Sequence, residues 1–344
     1  MISFAGWDLP LQYKGVIHEH NQVRKSAGVF DVSHMGRIAV NGEQAEVFLD
    51  YLSANRIEGK SDFTATYTVL PNAEGRTVDD VIVYKQNGEN FFIVVNGSTR
   101  QKDLAHLNAY AKKFNVSITH QYDVEGILAV QGPLAKAIGS KLFPELSSLS
   151  PMKFLQTKFQ GKELILSETG YTGAGGFEIY APQDLIVAIW DLLLKEGAGG
   201  ELESVGLGAR DTLRLEMGYA LYGHELSDSI SVVESVSAWT FKPKGRSFLG
   251  KESCIALQNS SCCRTAYGII CKERGAIPRE GCLIFKEGKE IGHVTSGTQS
   301  ITLGKSIGLI LSNEKLALGE LVEVQIRNST ITAEVTLLPF IHRG

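Results

Sequence analysis

Beyond residue 265 the chain reads as short β-rich runs separated by glycine turns, and this pattern restricts its fold more than any other feature. Runs at 266–270, 290–294, 306–311 and 321–326 have strand length and strand composition, with no helical period among them. Such a succession forms an all-β unit. Residues 265–344 hold it, so most of the 344-residue chain must fold elsewhere. Length alone allows about two domains, or three small ones.

The earlier part mixes both element types. A helix is expected over 43–52, with Ala45, Phe48, Leu49 and Leu52 at helical spacing. The β-rich runs 81–84 and 91–95 flank Asn87-Gly88, which predicts a hairpin. A helix should follow, opened by a capping box of Ser98 and Gln101. Its apolar stripe is Leu104, Leu107, Tyr110, Ala111 and Phe114. Another spans 182–196, with Pro182 in its first turn, Leu185, Ile186, Ile189, Trp190, Leu193 and Leu194 on one face, and Gly197 at C′. A further helix covers 209–217. Lys242-Pro243-Lys244-Gly245-Arg246 and the polar Gln258-Asn259-Ser260-Ser261 mark a boundary within 242–265.

Charge and motifs narrow the function. Lys+Arg of 34 against Asp+Glu of 38 argues against a dedicated nucleic-acid binder, without excluding a local basic patch for an acidic ligand. No signal peptide or apolar run of about 20 residues is visible, so neither secretion nor a membrane span is expected. Five cysteines, an odd number without a CxxC pair, point to reduced thiols in a cytoplasmic protein and to no metal site. Gly59-Lys60-Ser61 and Gly304-Lys305-Ser306 lack the earlier glycine of a phosphate loop, because Ala54 and Gln299 stand there. The glycine-dense 170–176 does not spell GxGxxG and precedes a strand. His18 and His20 have no third clustered ligand and read as solvated helix residues, and no GxSxG elbow occurs.

Three constellations could carry chemistry. Asp79 and Asp80 precede an apolar strand, so alternation sends only one carboxylate inward. Asp79 shares a face with Val81 and Val83, Asp80 with Ile82 and Tyr84, and sequence does not say which face is the core. A carboxylate at a strand's mouth can manage protons near an amine. Glu178 stands within a strand after the glycine turn, either as an exposed alternate position or as a contact to an amidine-like ring edge. Arg210 and Arg214 lie one helical turn apart, a mildly repulsive pair that Asp211 or an external anion would relieve.

Together these segments resemble the glycine cleavage T-protein family, the aminomethyltransferases. The resemblance rests on Phe4-Ala5-Gly6-Trp7, Phe30-Asp31-Val32-Ser33-His34-Met35, Asp79-Asp80-Val81-Ile82-Val83, Gln131-Gly132-Pro133, Gly170-Tyr171-Thr172-Gly173, and the stretch from Gly206 to Glu216. It continues through Leu221-Tyr222-Gly223, Trp239-Thr240, Phe248-Leu249-Gly250-Lys251 and Thr295-Ser296-Gly297, in order along nearly the whole chain.

The resemblance implies an α+β fold of three domains, a cloverleaf around a central folate channel with a C-terminal β-barrel. Residues 1–45 and 125–242 would form the folate-binding domain, 46–124 an inserted domain carrying the acidic pair, and 265–344 the barrel. It implies transfer of a one-carbon unit from the aminomethyl-lipoyl arm of a partner H-protein to tetrahydrofolate, giving 5,10-methylenetetrahydrofolate and ammonia. Asp80 would be the catalytic carboxylate, Glu178 the pterin ligand and Arg210 a folate contact. Met35, Asn96, Tyr222 and Trp239 match pocket-lining positions.

The chain also departs from that pattern. It starts where relatives already have a preceding segment, so an N-terminal element is expected to be shortened. Gly75-Arg76-Thr77 replaces the usual paired glycines, and Arg76 could depress the Asp80 pKa or face water. Ala174 replaces an acidic residue, and Phe92 stands where an aromatic hydroxyl is common. The competing class is a folate-binding iron–sulfur maturation factor without transferase activity. It would centre on a Lys-Gly-Cys-x-x-Gly-Gln segment, which this chain lacks. A folate domain of a sarcosine- or dimethylglycine-oxidising flavoenzyme would need a flavin domain that the chain does not show.

Overall fold

The β-rich runs of the last third close on themselves. In the computed structural model, which describes residues 1–122, 124–273 and 275–341, six strands form a closed antiparallel barrel. Its order is Thr265–Cys271, Lys305–Ser312, Lys289–Ser300, Leu283–Lys286, Leu321–Ile326 and Ser329–Thr336. Two of these strands lack the expected signal. Leu283–Lys286 is only four residues long, and Ser329–Thr336 has no apolar run, although its alternate Ile331, Ala333 and Val335 fill the barrel core.

The described residues divide into two compact units. The first holds Met1–Tyr51, Arg56–Thr68 and Val81–Arg210, and the second holds Leu52–Asn55, Val69–Asp80 and the chain from Asp211 onward. A six-stranded sheet runs Phe154–Phe159, Lys162–Ser167, Gly176–Pro182, Glu125–Gln131, Ala27–Asp31 and Leu202–Ser204. Only the last pair is parallel. Helix Gln183–Glu196 lays Leu185, Ile189 and Leu193 against its Phe177 and Ile179. A second sheet takes the order Thr64–Pro71, Thr77–Lys85, Asn90–Val95, Gly36–Asn41 and Ser117–His120, and includes the expected hairpin. In the second unit, Val69, Leu226, Val232, Phe241, Phe248 and Cys254 form a further core cluster.

Several local expectations need correction. The helix Arg100–Ala111 forms, but Thr99 precedes it as N-cap and the Ser98–Gln101 capping box does not. Pro182 ends a strand and caps the helix Gln183–Glu196 rather than entering it. Gly197 caps that helix with a negative φ, and packing against Leu202 leaves no room for a side chain there. His18 is exposed beside Glu203, but His20 is fully buried, not solvated. No helix among the described residues is long and apolar enough to cross a membrane. None of their His, Cys, Asp and Glu side chains group in a way that could hold a metal ion.

Candidate functional site

The strand Gly176–Pro182 is covered on both faces. Phe177, Ile179 and Ala181 face the helix-packed core, so alternation places Glu178 and Tyr180 together on the other face. Glu178 is only 7% exposed, which overturns its reading as a solvated alternate position. Its Oε2 accepts the Thr169 hydroxyl at 2.5 Å and the Tyr180 hydroxyl at 2.7 Å. The Tyr84 hydroxyl lies 2.7 Å from that of Tyr180 and 3.2 Å from Thr169 Oγ1. Burial, and then the charge of Glu178, push both phenols far above their ordinary range, so they stay protonated. Phe92 stacks on Tyr84 with ring centroids 4.3 Å apart, and the Arg37 guanidinium sits 4.6 Å from its centroid.

The glycine turn before this strand is built by Gln131. Its Nε2 donates to the Thr169 carbonyl at 3.1 Å, and its Oε1 accepts the Thr172 hydroxyl at 2.9 Å. A Cβ on Gly170 would overlap that amide. The glycine is therefore required by close approach of a side chain, not by a phosphate. Ala174 donates its backbone N–H to Thr172 Oγ1 at 3.2 Å.

Arg210 enters on helix Leu207–Glu216. The start of that helix is fixed by Glu19, a residue that sequence reasoning missed. Its Oε2 accepts the Gly206 N–H at 2.8 Å, and its Oε1 accepts the N–H groups of Tyr13, Lys14 and Gly15. An acid in the first turn after Gly15 was the available signal.

The Arg210 guanidinium lies 4.7 Å from the Tyr171 ring centroid, and its Nη2 is 3.9 Å from Met35 Sδ. Nη1 is shielded from solvent without a hydrogen-bond partner. Burial lowers the Arg210 pKa, against the pull of Tyr171 and Glu178. A small cavity beside it is lined by Pro10, Phe30, Asp31 and Leu207. His34 is buried nearby with its Nδ1 unpartnered. Burial, then the charges of Arg210 and Arg100, lower its pKa to about 3. Asn96 begins the loop after Asn90–Val95, where its carbonyl accepts the Thr99 N–H and hydroxyl.

Arg214 shows the contrasting arrangement. It bonds Asp211 at 2.8 Å, Glu225 at 2.9 Å and Ser296 at 3.0 Å, so this guanidinium is satisfied within the second unit. Thr295 completes the cluster by donating to Glu225 at 2.6 Å.

Asp80, Tyr222 and Trp239 also belong to the second unit, whereas Met35, Asn96, Glu178 and Arg210 belong to the first. On strand Thr77–Lys85, Asp79 is fully buried on the face of Val81 and Val83, while Asp80 is half-buried on the opposite face. Both faces carry buried residues, with Tyr84 on that of Asp80, and Asp80 is the more exposed of the two acids. Arg76 does not simply face water: it donates to Glu234 at 3.1 Å and to the Ser229 carbonyl at 3.2 Å. Tyr222 donates to Asp228 at 3.2 Å, and Trp239 is 59% exposed.

Residues 1–245 match the family model described as the GCVT N-terminal domain, and residues 264–342 match the glycine cleavage T-protein C-terminal barrel domain. This chain belongs to the glycine cleavage T-protein family. It is 39% identical to an aminomethyltransferase of Prosthecochloris aestuarii over 349 residues, covering 100% of this chain and 96% of that one. It is 39% identical to the aminomethyltransferase of Bacillus subtilis, covering 99% and 95%. A crystal structure of the glycine cleavage system aminomethyltransferase T from Bartonella henselae superposes with a TM-score of 0.91 at 30% identity, covering 98% of this chain and 93% of that one. The chain is thus an aminomethyltransferase of the glycine cleavage system, and the non-transferase maturation reading is not favoured.

Proposed function

We propose that this aminomethyltransferase binds tetrahydrofolate as substrate and receives the aminomethyl group from the lipoyl arm of an H-protein. Its products are 5,10-methylenetetrahydrofolate, ammonia and the reduced carrier, formed in the cytoplasm. The observation that carries this reading is the half-buried Arg210, whose solvent-shielded Nη1 has no partner while Arg214 on the same helix is saturated. A shielded N–H group left without a partner costs about 1–3 kcal/mol, and an anionic ligand such as folate's glutamate tail removes that cost. Glu178 supplies a carboxylate acceptor for the N–H donors of a pterin edge.

Asp80 is the more exposed acid of the pair, and we assign it the catalytic role. A folate amine must attack the aminomethyl carbon as ammonia leaves. A carboxylate aids this by orienting the amine and stabilising developing positive charge. Met35 adjoins Arg210, and Asn96, Tyr222 and Trp239 complete the proposed folate contacts. The folate-binding domain is assigned to residues 1–45 and 125–242, with 46–124 inserted and 265–344 as the barrel domain. The test incubates the protein with tetrahydrofolate and aminomethyl-loaded H-protein and measures ammonia. Folate binding without ammonia release would overturn the transfer reading.

A further inference from the structure

The Glu178 carboxylate is held asymmetrically. Both of its hydrogen bonds end on Oε2, from Thr169 and Tyr180, and Oε1 has no partner among the described residues. The two donors come from different segments. Tyr180 stands two residues along the same strand, and Thr169 lies beyond the end of the neighbouring strand Lys162–Ser167. Ser167, directly opposite Glu178 in the sheet, lies 3.0 Å from Thr169 through its hydroxyl. Two donors from separate directions fix both the position of Oε2 and the rotation of the carboxylate plane. The proton order follows. The Tyr180 proton points to Glu178, so the Tyr180 oxygen is free to accept from Tyr84 at 2.7 Å.

We propose that Thr169 and Tyr180, backed by Tyr84, are positioning residues that clamp Glu178 Oε2 and thereby aim Oε1 at the donor edge of the bound pterin. This rests on the assignment of Glu178 to folate binding made above. The chemistry of the clamp favours it. A rotationally fixed acceptor loses less entropy on binding than a free one. The aromatic wall of Tyr84, Phe92, Phe154 and Tyr180, with centroids 4.3 to 5.8 Å apart, keeps the clamp immobile.

The test is a mutant cycle on tetrahydrofolate affinity, measured anaerobically by calorimetry, with turnover measured alongside. Thr169→Val and Tyr180→Phe should each weaken binding about tenfold. The loss should appear in KM, with kcat changed less than about twofold, since neither hydroxyl touches the reacting atoms. Thr169→Ser keeps the donor and should restore affinity. Tyr180→Phe is expected to fold, because the Tyr84 hydroxyl can turn to Thr169 Oγ1 at 3.2 Å. In a Glu178→Ala background both substitutions should have no further effect on affinity, whereas general structural damage would persist there. Additive losses in that background, or unchanged affinity in the single variants, overturn the clamp. Unchanged affinity in Glu178→Ala alone would instead remove Glu178 from folate binding.

Discussion

Replacing Arg210 by Met should stabilise the fold while damaging the site, a combination that structural residues do not give. Met keeps most of the apolar stem and removes the guanidinium. The fold then loses an unsatisfied buried donor, a relief of about 1–3 kcal/mol, and forfeits the stacking on Tyr171 at 4.7 Å, worth about 0.5–1 kcal/mol. The balance is a gain of up to about 2 kcal/mol, or a rise in Tm of a few degrees at roughly 2–4 °C per kcal/mol for a unit of this size. Scanning calorimetry without ligand reads that change. Titration with tetrahydrofolate should show a loss of roughly 10- to 100-fold, the weight of a charge-assisted hydrogen bond. A lowered Tm together with unchanged folate affinity would refute the reasoning, because Arg210 would then be structural.

Asp80→Asn should leave folate affinity within about twofold and cut turnover by about 100-fold or more. Near-normal ammonia release by that variant would remove Asp80 from the chemistry. Glu225→Ala leaves the Arg214 guanidinium buried without its main counter-charge, and should cost about 3–5 kcal/mol. Thermal unfolding checks this, and Glu225→Gln should fall between. His34 has a folded pKa near 3, below its ordinary 6.5. The unfolded chain therefore binds a proton there that the fold refuses, so His34 lowers stability as pH falls from 6.5 toward 3. His34→Gln should flatten denaturant-unfolding curves over that window relative to the parent, and parallel curves would count against the buried neutral imidazole.

Elements with a strong local period were legible from the residues alone, namely the 43–52 helix, the 81–95 hairpin and most barrel strands. What failed was burial decided by distant chain. Glu178 looks exposed in Phe177-Glu178-Ile179-Tyr180 because one face is evidently apolar, yet Tyr84, far away in sequence, covers the other. His20 follows the same logic on its helix. The Ser98–Gln101 signature fits a capping box, but the helix begins after Thr99, whose own hydroxyl turns back to Asn96. Arg210 and Arg214 could be placed on one helical face. That Arg214 is saturated while Arg210 keeps an unpartnered Nη1 depends on Glu225 and Ser296, which no local pattern announces.

The acidic pair has a consequence for how this chain can vary. Asp79 and Asp80 are chemically identical, and only their place in the pleat of strand Thr77–Lys85 buries one fully and leaves the other half-buried. That place is set by the turn ahead of them, where the Asn72 N–H meets the Arg76 carbonyl and Gly75 packs 3.0 Å from Cys254, measured from where its Cβ would be. Losing or gaining one residue in that turn would exchange the two acids without altering any side chain. The length of this turn is therefore a tighter constraint on the acidic pair than the identity of any one of its side chains.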